Sequence, residues 1–192
     1  MPSPASSRIT AAEYLALERQ AEFKSEYLDG EVFAMTGASR RHNLICLNIG
    51  AELRTQLKQR PCEVYVSDMR VKTSATGLYT YPDIVVVCGT PTFEDAEVDT
   101  LVNPVLLAEV LSKTTQDHDR GGKFEHYRTL DSLQEYLLVA QHDCHLTHYV
   151  RQPDNAWLLT ETRNIDDAMY LPFIDCRLVL TEVYAKVNLD RP

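Results

Sequence analysis

The sequence lacks a long hydrophobic run, an excess of basic charge and any regular cysteine motif. None of its 192 residues belongs to an apolar stretch that approaches the length of a membrane span, so we expect no contact with a membrane. Residues 1–7 have neither a basic region nor an apolar core, which argues against a secretory signal and for a cytoplasmic protein. The net charge of −9 argues against a protein that coats nucleic acid without specificity.

Cysteine is scarce and irregularly spaced. The five cysteines never form a C-x-x-C pair, which favours reduced thiols over a disulfide framework or a structural zinc site. Cys46 and Cys88 stand among aliphatic residues and are expected to be small core side chains. One group is dense enough in histidine to suggest zinc: His142, Cys144, His145 and His148. On a strand these four residues would divide between two faces, so we do not favour a zinc site there.

The amino-acid composition is typical of one globular domain. The chain is 44% hydrophobic and 24% charged, and its length suits a single domain over residues 1–192, with residues 1–8 disordered. A strand–helix–strand unit from Val105 to Ala140 implies a right-handed crossover and a partly parallel sheet. The predicted class is therefore α/β, with a mixed central sheet flanked by helices.

Local signals predict most of the elements. Thr10 and Glu13 form a capping box that opens a helix through Gln20, and Ser39 can cap a second helix over residues 40–59. Asp29-Gly30 is a type I′ turn signal that predicts a hairpin with strands at 25–28 and 31–35. Further strands are predicted at 62–73 with a bulge near 67–68, and at 79–88, 104–112, 134–140, 144–150 and 156–162. A helix should end near Leu130, and helical spacing returns at 178–187.

Two predicted strands each carry one carboxylate, Asp83 and Glu109. A carboxylate inside an apolar strand is costly unless it is paired, hydrogen-bonded or bound to a metal. On successive strands the two could point to the same side of the sheet and share a divalent cation such as Mg²⁺. Each could instead cap a turn or pair with an arginine, and the residue types alone do not decide between these readings.

The helix after the Glu109 strand offers a third element. Asp119, Lys123 and Tyr127 are spaced i, i+4, i+8, which aligns them on one face of a continuous helix. If this face meets the strand carboxylates, Lys123 could orient a water or neutralise charge developing on phosphorus. The alternative is an Asp119–Lys123 pair exposed to solvent.

Taken together, these residues resemble the PD-(D/E)xK nuclease superfamily and, more closely, the Uma family of predicted restriction endonucleases. The resemblance spans roughly Ile9 to Val150. It is carried by Leu28-Asp29-Gly30-Glu31, Met35-Thr36-Gly37-Ala38-Ser39 with His42, Ser67-Asp68-Met69-Arg70-Val71, Tyr81-Pro82-Asp83, Glu109-Val110-Leu111-Ser112, and Asp119 through Lys123 to Tyr127. The order and spacing of these motifs are more specific than any one of them.

The resemblance implies a restriction-endonuclease-like core and a set of site residues. It implies ligation of Mg²⁺ or Mn²⁺ by Asp83 and Glu109, with the backbone carbonyl of Val110 as a further ligand and Glu26 as a supporting carboxylate. The chain departs from the superfamily at Leu111, where a lysine is usual. Lys113 has the same strand parity but lies in the turn, so the resemblance suggests that Lys123 takes the missing role.

The sequence therefore predicts a metal-dependent endodeoxyribonuclease with DNA as its partner. Asp83, Glu109, Lys123 and Tyr127 would be catalytic, and a homodimer is expected because two-fold dimers are the commonest assembly. The alternative is a nuclease-fold binding or assembly module that has lost turnover, which Leu111 and the acidic total both favour.

Overall fold

The computed structural model describes residues 8–111 and 122–189, and these form a mixed α/β fold. Its helices are α1 (Ala11–Glu18), α2 (Arg40–Gln56), α3 (Phe124–Tyr127) and α4 (Leu180–Val183). Its strands are β1 (Ser25–Leu28), β2 (Glu31–Ala34), β3 (Cys62–Val66), β4 (Arg70–Thr73), β5 (Leu78–Thr80), β6 (Ile84–Cys88), β7 (Thr100–Leu101), β8 (Leu106–Leu111), β9 (Glu135–Ala140), β10 (Leu146–Arg151), β11 (Trp157–Thr162), β12 (Ala168–Leu171) and β13 (Cys176–Val179). The predicted class is confirmed.

A six-stranded mixed sheet is the centre of the fold. Its order is β11-β10-β9-β8-β6-β3, and the β8–β9 pair is parallel, as the predicted crossover requires. Successive residues of β8 point alternately to two apolar clusters, one covered by α2 and α4 and the other by Tyr127 of α3. A second sheet, β2-β1-β5-β4-β7, packs its own tyrosine cluster against α1. None of the helices in the described part of the chain is long and apolar enough to cross a membrane.

The elements with strong local signals form as predicted. Thr10 and Glu13 make both bonds of the capping box, and the Ser39 hydroxyl accepts the His42 backbone N–H. Asp29 and Gly30 have φ values of 48° and 87°, which suit the type I′ turn of the first hairpin. Helix α2 ends three residues before the predicted end, with Leu57 as its C-cap.

Two predicted strands are wrong because the chain passes between sheets in the middle of each. Residues 62–73 divide into β3 of the six-stranded sheet and β4 of the five-stranded sheet, and the predicted bulge is a full break at Ser67, whose φ is 64°. Residues 79–88 divide in the same way into β5 and β6 around Pro82, which has no N–H for a ladder. The Ser67 N–H donates to the Asp83 carbonyl at 2.9 Å, so the two breaks lie side by side.

The prediction of reduced thiols is wrong for two of the five cysteines. Cys62 and Cys88 form a disulfide across β3 and β6. The antiparallel register places these residues directly opposite each other, with Cα atoms 4.0 Å apart. Their separation of 26 residues carries no sign of this pairing, because only the sheet register brings them together. Cys46 is a buried core thiol, as predicted.

The carboxyl-terminal prediction is partly wrong. Helical spacing at 178–187 corresponds to helix only from Leu180, and the preceding residues form the β12–β13 hairpin, which sequence reasoning missed. Cys176 and Leu178 are buried while Arg177 is exposed, so burial alternates with the period of two of a strand, and the alternation continues to the buried Leu180. Over so few residues, these apolar positions resemble the first contacts of an amphipathic helix. Asp119 and Ser112 lie outside the described residues.

Candidate functional site

The site begins with the register between β6 and β8. Ile84 lies opposite Ala108 in this antiparallel pair, and Asp83 and Glu109 are the next residues along the two segments. Glu109 has the strand parity of Leu107, which faces the α3 side of the sheet, whereas Asp83, one residue before β6, contacts His42 of α2. The side-chain oxygen Oδ2 of Asp83 accepts the backbone N–H next to Glu109 at 2.7 Å. The expectation that the two carboxylates share one side of the sheet stays a prediction.

Two groups contact the Asp83 carboxylate, at the point where the chain passes from one sheet to the other. Besides the Val110 N–H, its Oδ1 lies 3.0 Å from His42 Nε2, at the first turn of α2. Both side chains are 16% exposed, so the pair is accessible to a small ligand while it is shielded from bulk solvent. Asp83 thus pairs with a histidine and a backbone amide, where the alternative reading expected an arginine or a turn cap.

The Glu109 carboxylate contacts one side chain of α3 and one from the residue just before this helix. Tyr127 donates its hydroxyl to Glu109 Oε1 at 2.7 Å, and Lys123 Nζ lies 3.3 Å from the same oxygen. Glu109 is 4% exposed. Burial raises the pKa of Tyr127 well above its ordinary value, and the nearby Glu109 carboxylate acts in the same direction. Tyr127 is therefore a neutral phenol that donates a hydrogen bond, and it shares one face with Lys123 as the spacing predicted.

Lys123 also connects the two sheets. Its ammonium lies 3.0 Å from Glu26 Oε1, in β1 of the five-stranded sheet. The Thr80 hydroxyl donates to the same oxygen of Glu26. The predicted supporting carboxylate, Glu26, therefore lies beside the predicted catalytic lysine, and the ammonium stands between Glu26 and Glu109.

Leu111 occupies the position where the superfamily carries lysine. Its side chain is 5% exposed and belongs to the apolar cluster on the α3 side. Its carbonyl accepts a hydrogen bond from Gln141 Nε2 at 3.0 Å, which ties the end of β8 to the end of β9. The ammonium that approaches Glu109 is instead that of Lys123, which supports the relocation suggested by the sequence.

Sequence reasoning missed the role of His42 and Cys46. From the sequence, His42 was only one of the motif residues that carry the family resemblance, and Cys46 was expected to be a core side chain. Both lie on one face of α2, and their side chains, together with Asp83, offer ligand atoms that all lie within 4.8 Å of one another. The signal that could have revealed them is their i, i+4 spacing. Burial raises the pKa of the Cys46 thiol, and the Asp83 and Glu109 carboxylates raise it further.

The histidine-rich segment after β9 does not form a metal site among the residues that the structure describes. His145 Nε2 lies 2.9 Å from a carboxylate oxygen of Glu161, and His148 Nε2 lies 2.7 Å from one of Glu135. His142 instead lies 2.9 Å from a guanidinium nitrogen of Arg41. These separate partners agree with the division between two faces expected from the sequence.

The sequence of the chain matches a known protein family. The sequence model of the Uma2 family, described as "Putative restriction endonuclease", matches residues 11–181. Two relatives from Synechocystis sp. carry the names "Uncharacterized protein sll1609" and "Uncharacterized protein slr1290". The first is 42% identical over 153 residues, 80% of this chain and 86% of the relative. The second is 34% identical over 158 residues, 82% of each.

A solved structure shows the same fold. It is the crystal structure of "a putative nuclease belonging to DUF820" from Anabaena variabilis, with a TM-score of 0.73. The match covers 94% of this chain and 99% of the other, at 18% sequence identity. At that identity the likeness extends to the fold, which is restriction-endonuclease-like.

Proposed function

The chain belongs to the Uma2 family, and we propose that it is a divalent-metal-dependent endonuclease that hydrolyses phosphodiester bonds in DNA. One observation carries the proposal: Asp83 accepts the backbone N–H of Val110, the residue next to Glu109, at 2.7 Å. Lys123 and Tyr127 approach Glu109 on the same side of the sheet. Two carboxylates with a cationic and a phenolic neighbour form a cluster of ionisable groups of the kind found at functional sites.

The donor set fits a hard cation. Carboxylate oxygens are the ligands that Mg²⁺ and Mn²⁺ prefer, and the backbone carbonyl of Val110 would add another oxygen. Asp83 and Glu109 would hold the ion, with Glu26 in support beside Lys123. When bound, such an ion stabilises negative charge on the phosphate and favours ionisation of water.

The residues of the chain would position the reactants. Lys123, between Glu26 and Glu109, would approach the phosphate and offset charge that develops there. Tyr127 keeps Glu109 in place by donating its hydroxyl, and its raised pKa keeps that proton on the phenol. His42 and the Val110 N–H fix the orientation of Asp83.

DNA is the proposed substrate despite the acidic total charge. Arg40 and Arg41 stand at the start of α2, next in sequence to His42, and the Arg41 guanidinium contacts His142. Basic residues at this position would meet phosphates that flank the scissile bond. A two-fold dimer would place two such centres on opposite strands of a duplex, and we include this assembly in the proposal.

Cleavage of a mixed panel of DNA molecules tests the function directly. We expect wild-type protein to cut with Mg²⁺ or Mn²⁺, to be inactive with chelator, and to lose activity in Asp83→Ala. Asp154→Ala provides the control, because Asp154 is an exposed loop residue that accepts only a local N–H. Cleavage by Asp83→Ala at the wild-type rate would contradict the proposed site.

A binding or assembly module without turnover is the second candidate. Two observations favour it: a buried Leu111 at the usual lysine position, and a Lys123 ammonium already shared by two carboxylates. This reading predicts intact DNA under every metal condition. A mobility-shift titration with the same panel would then show whether DNA still binds.

A further inference from the structure

Helix α2 presents a second kind of metal donor to the site. His42 and Cys46 lie four residues apart on one helical face, and Cys46 Sγ lies 3.5 Å from His42 Nδ1. The other ring nitrogen of His42 lies 3.0 Å from Asp83 Oδ1, on the neighbouring strand end. A thiol and a carboxylate from two separate elements therefore flank one imidazole ring, each at a different ring nitrogen.

The chemistry of this group differs from that of the carboxylate centre. Mg²⁺ takes oxygen ligands, whereas sulfur and imidazole donors suit Zn²⁺ and similar transition metals. Bond lengths to tetrahedral zinc of about 2.0–2.3 Å place neighbouring donors roughly 3.5 Å apart. One ligand atom from each of His42, Cys46 and Asp83 already lies within 4.8 Å of the other two. Binding would require the His42 ring to turn so that one nitrogen faces both Cys46 and Asp83.

The group formed by His42, Cys46 and Asp83 is buried on the side of Cys46 and accessible to solvent on the other side. Cys46 is 3% exposed and packs in the apolar cluster with Ile45 and Ile49. His42 and Asp83 are partly exposed and face the gap between the two sheets. Three protein donors with one accessible side would leave a fourth position for water, as in zinc sites that are not fully closed by protein.

We infer that His42, Cys46 and Asp83 form a binding site for Zn²⁺ or a similar transition metal ion. Binding forms bonds from the ion to one ring nitrogen, the sulfur and a carboxylate oxygen, and the thiol proton passes to solvent. Asp83 is common to this site and to the carboxylate centre, so zinc excludes the hard cation and inhibits cleavage. This inhibition depends on the proposed nuclease function, while zinc binding itself does not.

Cobalt substitution tests the site without any assay of cleavage. Co²⁺ added to the disulfide-intact wild-type protein should give a near-ultraviolet thiolate-to-cobalt charge-transfer band and the visible bands of a tetrahedral ion. Zn²⁺ should displace the cobalt and abolish both signals. The charge-transfer band should disappear in Cys46→Ser, and His42→Gln should weaken cobalt binding by at least about 10–100-fold. Cys144→Ser and Cys176→Ser are matched controls, because both remove other free thiols.

The outcomes separate this site from the alternatives. A wild-type spectrum without the charge-transfer band, or a band that persists in Cys46→Ser, would overturn the inference. If Cys46→Ser fails to fold by circular dichroism, zinc-edge X-ray absorption of the wild-type protein and of both control variants replaces it. One sulfur in the zinc shell of all three proteins supports the site, and a shell without sulfur refutes it. Protein that binds cobalt through sulfur but cuts no DNA with Mg²⁺ or Mn²⁺ when cobalt and zinc are absent would refute the proposed function alone.

Discussion

Two buried glutamates on neighbouring strands have opposite surroundings. Glu109 in β8 and Glu135 in β9 belong to strands that pair in parallel, and each stands in an apolar sequence. Strand alternation directs Glu135 to the α2 side of the sheet, where it is completely buried. Its two oxygens accept from the Phe173 N–H at 2.8 Å and contact His148 Nε2 at 2.7 Å. One partner is the buried His148 of the neighbouring strand β10, and the other is a backbone N–H.

Glu109 faces the other side, where it meets further ionisable side chains. Its partners are Lys123 and Tyr127, and the ammonium is shared with Glu26 of the second sheet. Asp83 accepts the N–H of the next residue, Val110, so negative charges gather here, whereas Glu135 pairs with a histidine. A carboxylate in an apolar strand is therefore not by itself a functional signal. The decisive difference is whether further carboxylates lie beside it.

The largest expected effect concerns stability. Glu135→Ala leaves the His148 ring and the Phe173 N–H without their acceptor and opens a cavity, so we expect a loss of about 3–5 kcal/mol. Glu109→Ala should cost less, because removing one of several neighbouring carboxylates relieves repulsion while Lys123 keeps Glu26. Urea unfolding of both variants measures the difference. Equal losses would mean that Glu109 is as structural as Glu135.

The second prediction concerns the rate of DNA cleavage, which we expect to depend on Glu109 more than on Glu135, the reverse of their order in stability. Glu109→Gln should lower the rate of DNA cleavage by about 10²–10³-fold, because the amide cannot provide the charge that the centre requires. Glu135→Gln should leave cleavage within a few-fold of wild type once the protein is folded. Single-turnover cleavage at saturating metal measures both. A large loss in Glu135→Gln at unchanged stability would remove the distinction between the two sites.

Lys123 tests whether the ammonium acts on the reaction or only balances charge. We expect Lys123→Met to lower cleavage by about 10²-fold, with partial recovery in Lys123→Arg, because a positive charge near the phosphate stabilises the transition state. The effect should fall on kcat more than on KM. Arg163→Met is the matched control at an exposed cation. Unaltered cleavage in Lys123→Met would mean that the ammonium only balances the charges of Glu26 and Glu109.

The smallest expected effect concerns a third carboxylate, Asp99, whose contribution to stability should depend on pH. Hydrogen bonds from Arg19 lower the pKa of Asp99, and the buried Arg70 acts in the same direction. The folded pKa is below the ordinary value of about 3.9, so the stabilisation is complete above that value and is lost as the pH falls towards the folded pKa. Asp99→Asn should cost about 1–2 kcal/mol at neutral pH and progressively less in acid. Urea unfolding across this range measures it, and a pH-independent cost would contradict it.

The predictable parts of the fold are those whose signals are local. The caps at Thr10 and Ser39, the turn at Asp29 and the apolar runs of β8 and β9 depend on neighbours within a few residues. The passage between sheets at Ser67 could not be predicted, because both halves of the segment favour strand and only packing decides which sheet each half joins. The Cys62–Cys88 pair was missed because it depends on register, and registers join residues that are distant in sequence.

The sequence by itself determined the chemistry that is available: two strand carboxylates, a lysine and a tyrosine four residues apart, and the absence of the usual lysine at Leu111. Only the tertiary structure decided which of these groups meet. It set Asp83 against His42, brought the Lys123 ammonium between Glu26 and Glu109, and placed Glu135 in a separate, closed environment. The reason is physical, because hydrogen bonds and ion pairs act over a few ångströms in space, whatever the separation of their partners along the chain.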